Sequence, residues 1–156
     1  MRKVRLDRPV PDFTLPAAGD KQLSLSQFQG HNLVLYFYPK DNTSGCSLEA
    51  QDFRDHQTKF KRCNTLIIGV SCDSVQSHDK FRQKYRLKFD LLSDTEKKIC
   101  RRFGVFKQKS LYGRKFMGIE RSTFLIDAQG VLRRAWRKVR VKGHAHEVLD
   151  AVKALG

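Results

Sequence analysis

Tyr36-Phe37-Tyr38-Pro39-Lys40-Asp41-Asn42-Thr43-Ser44-Gly45-Cys46 is the stretch on which the fold turns. It closes Leu33-Val34-Leu35-Tyr36-Phe37-Tyr38, a run apolar at every position, as expected of a strand covered on both faces. Pro39 breaks the run, and polar turn residues follow. From Cys46 onward, Cys46, Ala50, Phe53 and Phe60 recur on one face of a helix. Thr65-Leu66-Ile67-Ile68-Gly69-Val70 is then a second buried strand. Strand, helix, strand in this order predicts a parallel crossover, and open sheets of this kind carry their sites at the C-terminal strand ends. The thiol of Cys46 therefore falls at a helix start on that edge. Unpaired N–H groups and the positive end of the helix dipole stabilise a thiolate there.

Working outward, Phe13-Thr14-Leu15 and Leu23-Ser24-Leu25 flank the turn residues Ala18-Gly19-Asp20, which predicts an N-terminal antiparallel hairpin. Val75 to Tyr85 reads as a helix, with Phe81 and Tyr85 on one face. Phe89 to Leu92 reads as a short strand. Asp94 is placed to cap a helix carrying Ile99 and Phe103, which stops at Gly104. Ser122 to Ile126 and Val131 to Val139 flank Asp127-Ala128-Gln129-Gly130, a hairpin turn. A last helix after Gly143 is expected to bury Val148, Leu149, Val152 and Leu155. The sequence shows no repeats, linkers or low-complexity segments. The expected architecture is α/β with a mixed sheet, one domain over residues 1–156.

With 156 residues, 40% hydrophobic and 10% aromatic, the chain suits one domain with a true core and argues against disorder. No apolar run approaches the roughly 20 residues of a membrane span. Arg2, Lys3, Arg5 and Arg8 are followed by no apolar stretch, so a secretory signal is not expected, and a cytoplasmic protein is. Cys46, Cys63, Cys72 and Cys100 have neither C-x-x-C spacing nor the density of a disulfide scaffold. Cys46 and Cys72 both follow strand ends at one edge, whereas Cys63 precedes its strand at the other.

The pattern P-x-x-x-T-x-x-C over Pro39, Thr43 and Cys46, between a strand and a helix, resembles the active-site motif of the peroxiredoxins. Gly118-Ile119-Glu120-Arg121-Ser122-Thr123-Phe124-Leu125-Ile126-Asp127 resembles the segment that presents that family's catalytic arginine. Further matches are Gly69-Val70-Ser71, Leu91-Leu92-Ser93-Asp94, Phe103-Gly104-Val105, and Trp136-Arg137-Lys138-Val139 through Lys142-Gly143-His144-Ala145. Together they resemble the bacterioferritin comigratory protein, or peroxiredoxin Q, subfamily over almost the whole chain. The resemblance implies a thioredoxin-like fold, a mixed central β-sheet flanked by helices. It implies a thiol peroxidase acting on hydrogen peroxide and organic hydroperoxides through a sulfenic acid on Cys46, with no cofactor and no metal. Arg121 would supply a fixed charge and a fork of donors. Thr43 would offer a hydroxyl, Pro39 would shield the sulfenate, and Glu49 would orient Arg121. Each has a plainer reading: Thr43 as a helix cap, Arg121 as a surface charge, Pro39 as a strand end, Glu49 as an acid favoured in a first helical turn.

One departure stands out. Many relatives carry a second, resolving cysteine five residues after the first, and here that position is Gln51. Others carry it on the following helix, near Phe81 and Arg82, where none occurs. Three routes of regeneration stay open. Cys46 works alone with an external thiol (thioredoxin, glutaredoxin or glutathione), or Cys72 resolves it, or Cys100 does. A monomer or weak dimer is expected.

The net charge of +15, from 31 Lys and Arg against 16 Asp and Glu, also fits a basic nucleic-acid-associated protein or an acidic partner protein. No nucleic-acid-binding signature accompanies the basic clusters at Lys97-Lys98/Arg101-Arg102, Arg114-Lys115 and Arg133-Arg134/Arg137-Lys138/Arg140/Lys142. Along Val131 to Val139 they occupy both pleat faces, so an exposed face or a charged sheet edge is expected. A peroxide-sensing thiol protein is the other alternative. His31, His56, His78, His144 and His146 show no metal-ligand spacing with the cysteines and are read as structural or exposed.

Overall fold

A computed structural model describes residues 3–155. Arg2 of the basic N-terminal group and the outermost ends of the 1–156 reading lie outside them. The strands are β1 (Thr14–Ala17), β2 (Lys21–Ser24), β3 (Asn32–Phe37), β4 (Thr65–Ser71), β5 (Asp90–Ser93), β6 (Phe106–Leu111), β7 (Arg114–Ile119), β8 (Ser122–Ile126) and β9 (Leu132–Trp136). The helices are α1 (Ser44–Arg62), α2 (Val75–Tyr85), α3 (Lys98–Arg102) and α4 (His144–Ala154). No helix among the described residues is long and apolar enough to cross a membrane.

Seven strands form one mixed sheet in the order β2-β1-β5-β4-β3-β8-β9. β3 and β4 pair in parallel as the crossover predicts, from Asn32↔Thr65 to Phe37↔Val70. β4 and β5 are also parallel, whereas β8 lies antiparallel to β3. β1 and β2 form the expected N-terminal hairpin, in register from Thr14↔Ser24 to Ala17↔Lys21. The basic strand β9 takes the sheet edge, with Arg133 and Arg134 exposed. Such charges discourage edge-to-edge pairing.

Because side chains alternate along a strand, β3 feeds two separate cores. Leu33, Leu35 and Phe37 join Ile68, Val70, Phe103 and Phe124 on one face. Val34, Tyr36 and Tyr38 join Cys46, Ala50, Phe53, Phe60, Phe81, Val148 and Leu149 on the other. α1, α2 and α4 cover that second face, and α3 belongs to the first. Tyr36 crosses the sheet above Gly69, its register partner. A Cβ at Gly69 would sit 2.8 Å from Leu91 and 2.9 Å from Tyr36, so only glycine fits beneath this ring.

Three details differ from the sequence reading. β6 and β7 form a separate two-stranded ribbon closed at Tyr112-Gly113, both with positive φ (52° and 74°). Its burial has no alternating pattern, which explains why it escaped notice. β9 ends at Trp136, short of Val139. Leu155, expected in the core, is 37% exposed, because α4 ends at Ala154 and Leu155 only closes its last turn. Asp94 does serve α3, although from outside the first turn. Its Oδ2 accepts from the Cys100 N–H at 2.7 Å, while Lys97, in the left-handed region, takes the cap position.

Candidate active site

The chain leaves β3 through Tyr38, passes the half-buried Pro39, and turns at Asp41-Asn42. Asn42 has φ +64°, a left-handed conformation that asparagine tolerates better than most side chains. This turn is anchored from below. Buried Asp41 accepts from Tyr38 Oη at 2.6 Å and Ser77 Oγ at 2.8 Å, and its Oδ2 lies 2.7 Å from His78 Nδ1. Its own N–H donates to Asp73 Oδ2 at 2.8 Å. Asp41, Asp73 and His78 bring their ligand atoms within 4.8 Å of one another, a spacing that could hold a metal. Those atoms are already engaged by Tyr38, Ser71, Ser77 and the Asp41 N–H, so the donor set serves an internal network.

Thr43 occupies the cap position of α1, but its side chain does not cap the helix. Its hydroxyl instead donates to the Lys40 carbonyl at 2.9 Å, tightening the turn. Cys46 follows in the first helical turn, where backbone N–H groups have no partner within the helix. Its side chain is 1% exposed and packs with the α1 face expected for it.

Arg121 reaches this thiol from the short link between β7 and β8, where its carbonyl accepts from the Val139 N–H at 3.0 Å. Nη2 donates to Cys46 Sγ at 3.2 Å, and Nη1 donates to Glu49 Oε1 at 2.6 Å. One planar guanidinium thus bridges two residues three apart on α1. Burial by itself would lower the basicity of Arg121, but Glu49 and Cys46 reverse this and hold it above the ordinary value. A Cβ at Gly45 would lie 3.2 Å from Arg121 Nη2, so glycine leaves room for this approach.

Glu49 is 2% exposed, and burial pushes its carboxyl up to about 7 against the opposing charge of Arg121. The folded chain therefore holds a proton at Glu49 more readily than the unfolded chain does. The stability linked to that proton is fully present below about pH 4.5 and is lost as pH rises through 7. Glu49→Gln lacks this slope. Its stability relative to the parent should rise between those values and level off above them, as measured by urea denaturation at a series of pH values.

The structure brings Cys46, Glu49 and Arg121 together. It places Pro39 and Thr43 on the preceding loop, the hydroxyl of Thr43 turned to the backbone. Gln51 sits on α1 and donates to Ser47 O at 3.1 Å. Cys72 and Cys100 share the sheet edge but pack on its opposite face, with sulfurs 4.0 Å apart. Sequence order indicates the edge of a residue and leaves its face open. The Tyr38–Asp41–His78 network also escaped sequence reading, though a tyrosine on a fully buried strand, which needs a partner for its hydroxyl, was the available signal.

The chain belongs to the AhpC/TSA family, which it matches over residues 6–135. It is 47% identical to peroxiredoxin Bcp of Bacillus subtilis, over 96% of each chain. It is 48% identical to peroxiredoxin Bcp of Xanthomonas campestris, over 96% of this chain and 94% of the relative. A cysteine-to-serine variant of Xylella fastidiosa PrxQ superposes with a TM-score of 0.93 at 40% identity, covering 99% of this chain and 98% of the other. A structure of the Xanthomonas campestris bacterioferritin comigratory protein, described for its alkyl peroxide reduction activity, gives 0.87 at 47% identity, covering 91% and 90%. These relatives put the chain in the Bcp, or peroxiredoxin Q, group of peroxiredoxins, with the thioredoxin-like fold that the motif implied.

Proposed function

We propose that the protein is a thiol peroxidase that reduces hydrogen peroxide and organic hydroperoxides at Cys46 and is regenerated by an external thiol. The observation that carries it is the Arg121 guanidinium, 3.2 Å from Cys46 Sγ at a helix start. In the reaction, the Cys46 thiolate attacks one peroxide oxygen and the O–O bond breaks. Cys46 becomes a sulfenic acid, and the departing oxygen leaves as water or an alcohol after taking a proton. Charge shifts from sulfur toward the leaving oxygen, so donors fixed beside the sulfur act where the charge moves. Arg121 supplies a permanent one. The unpaired N–H groups at Gly45 and Cys46 supply others. The Thr43 hydroxyl, whose proton goes to the Lys40 carbonyl, offers an acceptor oxygen for the peroxide's own proton, and Pro39 supplies a rigid wall. Glu49 holds the guanidinium in place.

For the return step we favour the one-cysteine route. Gln51 offers no thiol, and Cys72 and Cys100 pack on the other face of the sheet. A reductant thiol attacks the sulfenic sulfur and the hydroxyl leaves as water; a second thiol then attacks the mixed disulfide and frees the Cys46 thiol. Thioredoxin, glutaredoxin and glutathione all fit, and the +15 charge favours an acidic reductase.

Intact mass spectrometry after one equivalent of peroxide, followed by peptide mapping, tests this directly. A gain of about 16 Da on the Cys46 peptide, removed by a thiol reductant, is expected. A disulfide joining Cys46 to Cys72 or Cys100 would overturn the one-cysteine route. An unmodified Cys46 would overturn the peroxidase reading itself.

A further inference from the structure

Two cysteines outside the Cys46 site are held against each other by the ends of β4 and β5. Cys72 directly follows β4, and Cys100 lies in α3. Their sulfurs are 4.0 Å apart, Cys100 fully buried and Cys72 half-buried. Both are framed by the same strand end. The Ser71 carbonyl accepts from the Asp94 N–H at 2.9 Å, and Ser93 Oγ donates to the Asp73 carbonyl, so the residues on either side of Cys72 are tied to β5. Asp94 Oδ2 in turn holds the Cys100 N–H at 2.7 Å. The contact thus joins two anchored backbones and does not depend on a mobile loop.

We propose that Cys72 and Cys100 form a second redox site, a dithiol that peroxide converts into an internal disulfide independently of Cys46.

Closing the bond requires the sulfurs to approach to about 2.05 Å, a displacement of about 2 Å shared between two side chains that rotate at χ1. The two thiols are not equivalent. A hydrogen bond from Cys100 lowers the Cys72 thiol below its ordinary value, opposed by burial, and Lys97 adds to the lowering. The same hydrogen bond, together with burial, pushes the Cys100 thiol up. Cys72, the more accessible, is therefore the attacking sulfur, and Cys100 is its donor and second partner.

The Cys72 thiolate attacks one oxygen of a hydroperoxide, the O–O bond breaks, and the other oxygen departs and takes a proton. Cys72 then carries S–OH. Cys100 gives up its proton as its sulfur attacks that of Cys72, and the hydroxyl leaves as water. The two sulfurs have together lost two electrons, and the peroxide has gained them. The hydroperoxide is the only oxidant required. A thiol reductant that reaches the half-exposed Cys72 reverses the bond by exchange. Cys46 lies on the other face of the sheet, and Cys63 precedes β4 at the opposite edge, so neither competes as the partner.

The test uses Cys46→Ser protein, freed of reductant and exposed to excess hydrogen peroxide. Alkylation under denaturing conditions should find one reactive thiol where there were three, with a mass loss of about 2 Da. Digestion should yield a peptide pair linking Cys72 to Cys100, cleaved by a dithiol reductant. The unsubstituted protein, treated alike, should yield the same linked pair, which guards against a misfolded variant. In Cys46→Ser/Cys100→Ser the loss of 2 Da should vanish. Three alkylated thiols after treatment, oxygen added to Cys72 without a link, or a link between Cys72 and any other cysteine would each overturn the proposal.

Discussion

Arg121→Met is expected to slow peroxide consumption by about 10²- to 10³-fold, the usual cost of removing one fixed donor from a site of developing charge. The substitution keeps the length of the side chain and deletes the charge 3.2 Å from Cys46 Sγ. It also strands Glu49, which is 2% exposed and whose second oxygen already lacks a partner. A buried carboxylate left alone costs about 3–5 kcal/mol. Glu49 can escape part of that by taking a proton, since its carboxyl is already pushed up to about 7. The loss of stability should accordingly be smaller below neutral pH than above it. Arg121→Lys should recover only part of the rate, because a single ammonium cannot reach both Cys46 and Glu49 as the guanidinium fork does. Stopped-flow peroxide consumption at saturating reductant gives the rates, and urea denaturation gives the stabilities.

Asp41→Ala is expected to destabilise the protein by about 3–5 kcal/mol, since it leaves several hydrogen-bonding groups unpartnered at about 1–3 kcal/mol for each buried one. His78 and Asp41 have side chains 0% and 1% exposed, with 2.7 Å between Nδ1 and Oδ2. The other ring nitrogen, Nε2, faces the Leu92 carbonyl at 2.9 Å, and a carbonyl can only accept. Both nitrogens of His78 are therefore engaged, Nδ1 by the Asp41 carboxyl and Nε2 by the Leu92 carbonyl. Alanine would leave the fully buried His78 and Tyr38 Oη, and the half-buried Ser77 Oγ, without that partner. Asp41→Asn preserves the shape and one acceptor oxygen and should cost less. Because this network anchors the turn from Pro39 to Thr43, both variants should also slow peroxide reduction. Urea denaturation under reducing conditions, beside the rate assay, separates the two effects.

The parts of the fold legible in the sequence were those with a single physical cause. β3 and β4 are apolar through their interiors, Leu33 to Phe37 and Leu66 to Val70, because both faces of the sheet are covered, and α1 shows its buried face at Cys46, Ala50, Phe53 and Phe60. The ribbon of β6 and β7 obeys no such rule. It stands largely in solvent, with Tyr112 99% exposed, so its residues carry no periodic signal. At the site, the helix-start thiol could be read from the strand, turn and helix around it. Glu49 as partner of Arg121 followed from its position one turn after Cys46. The separation of Cys46 from Cys72 could not be read, since both follow strand ends at one edge. Which face each occupies depends on the pleat of β4 for one and on the packing of α1 for the other. Nor could Asp41 and His78, 37 residues apart, be joined before the fold brought α2 against the turn.

The central claim is that Cys46 turns over peroxide at the expense of a thiol. Its most direct test follows peroxide consumption through many equivalents, with thioredoxin and its reductase, glutaredoxin or glutathione supplied in turn, for the parent and for Cys46→Ser. The expected result is repeated turnover by the parent with at least one reductant, and a rate for Cys46→Ser far below the parent's, limited to what the Cys72–Cys100 pair turns over. A single stoichiometric oxidation of the parent with no turnover under any reductant, or turnover by Cys46→Ser at the parent's rate, would contradict it.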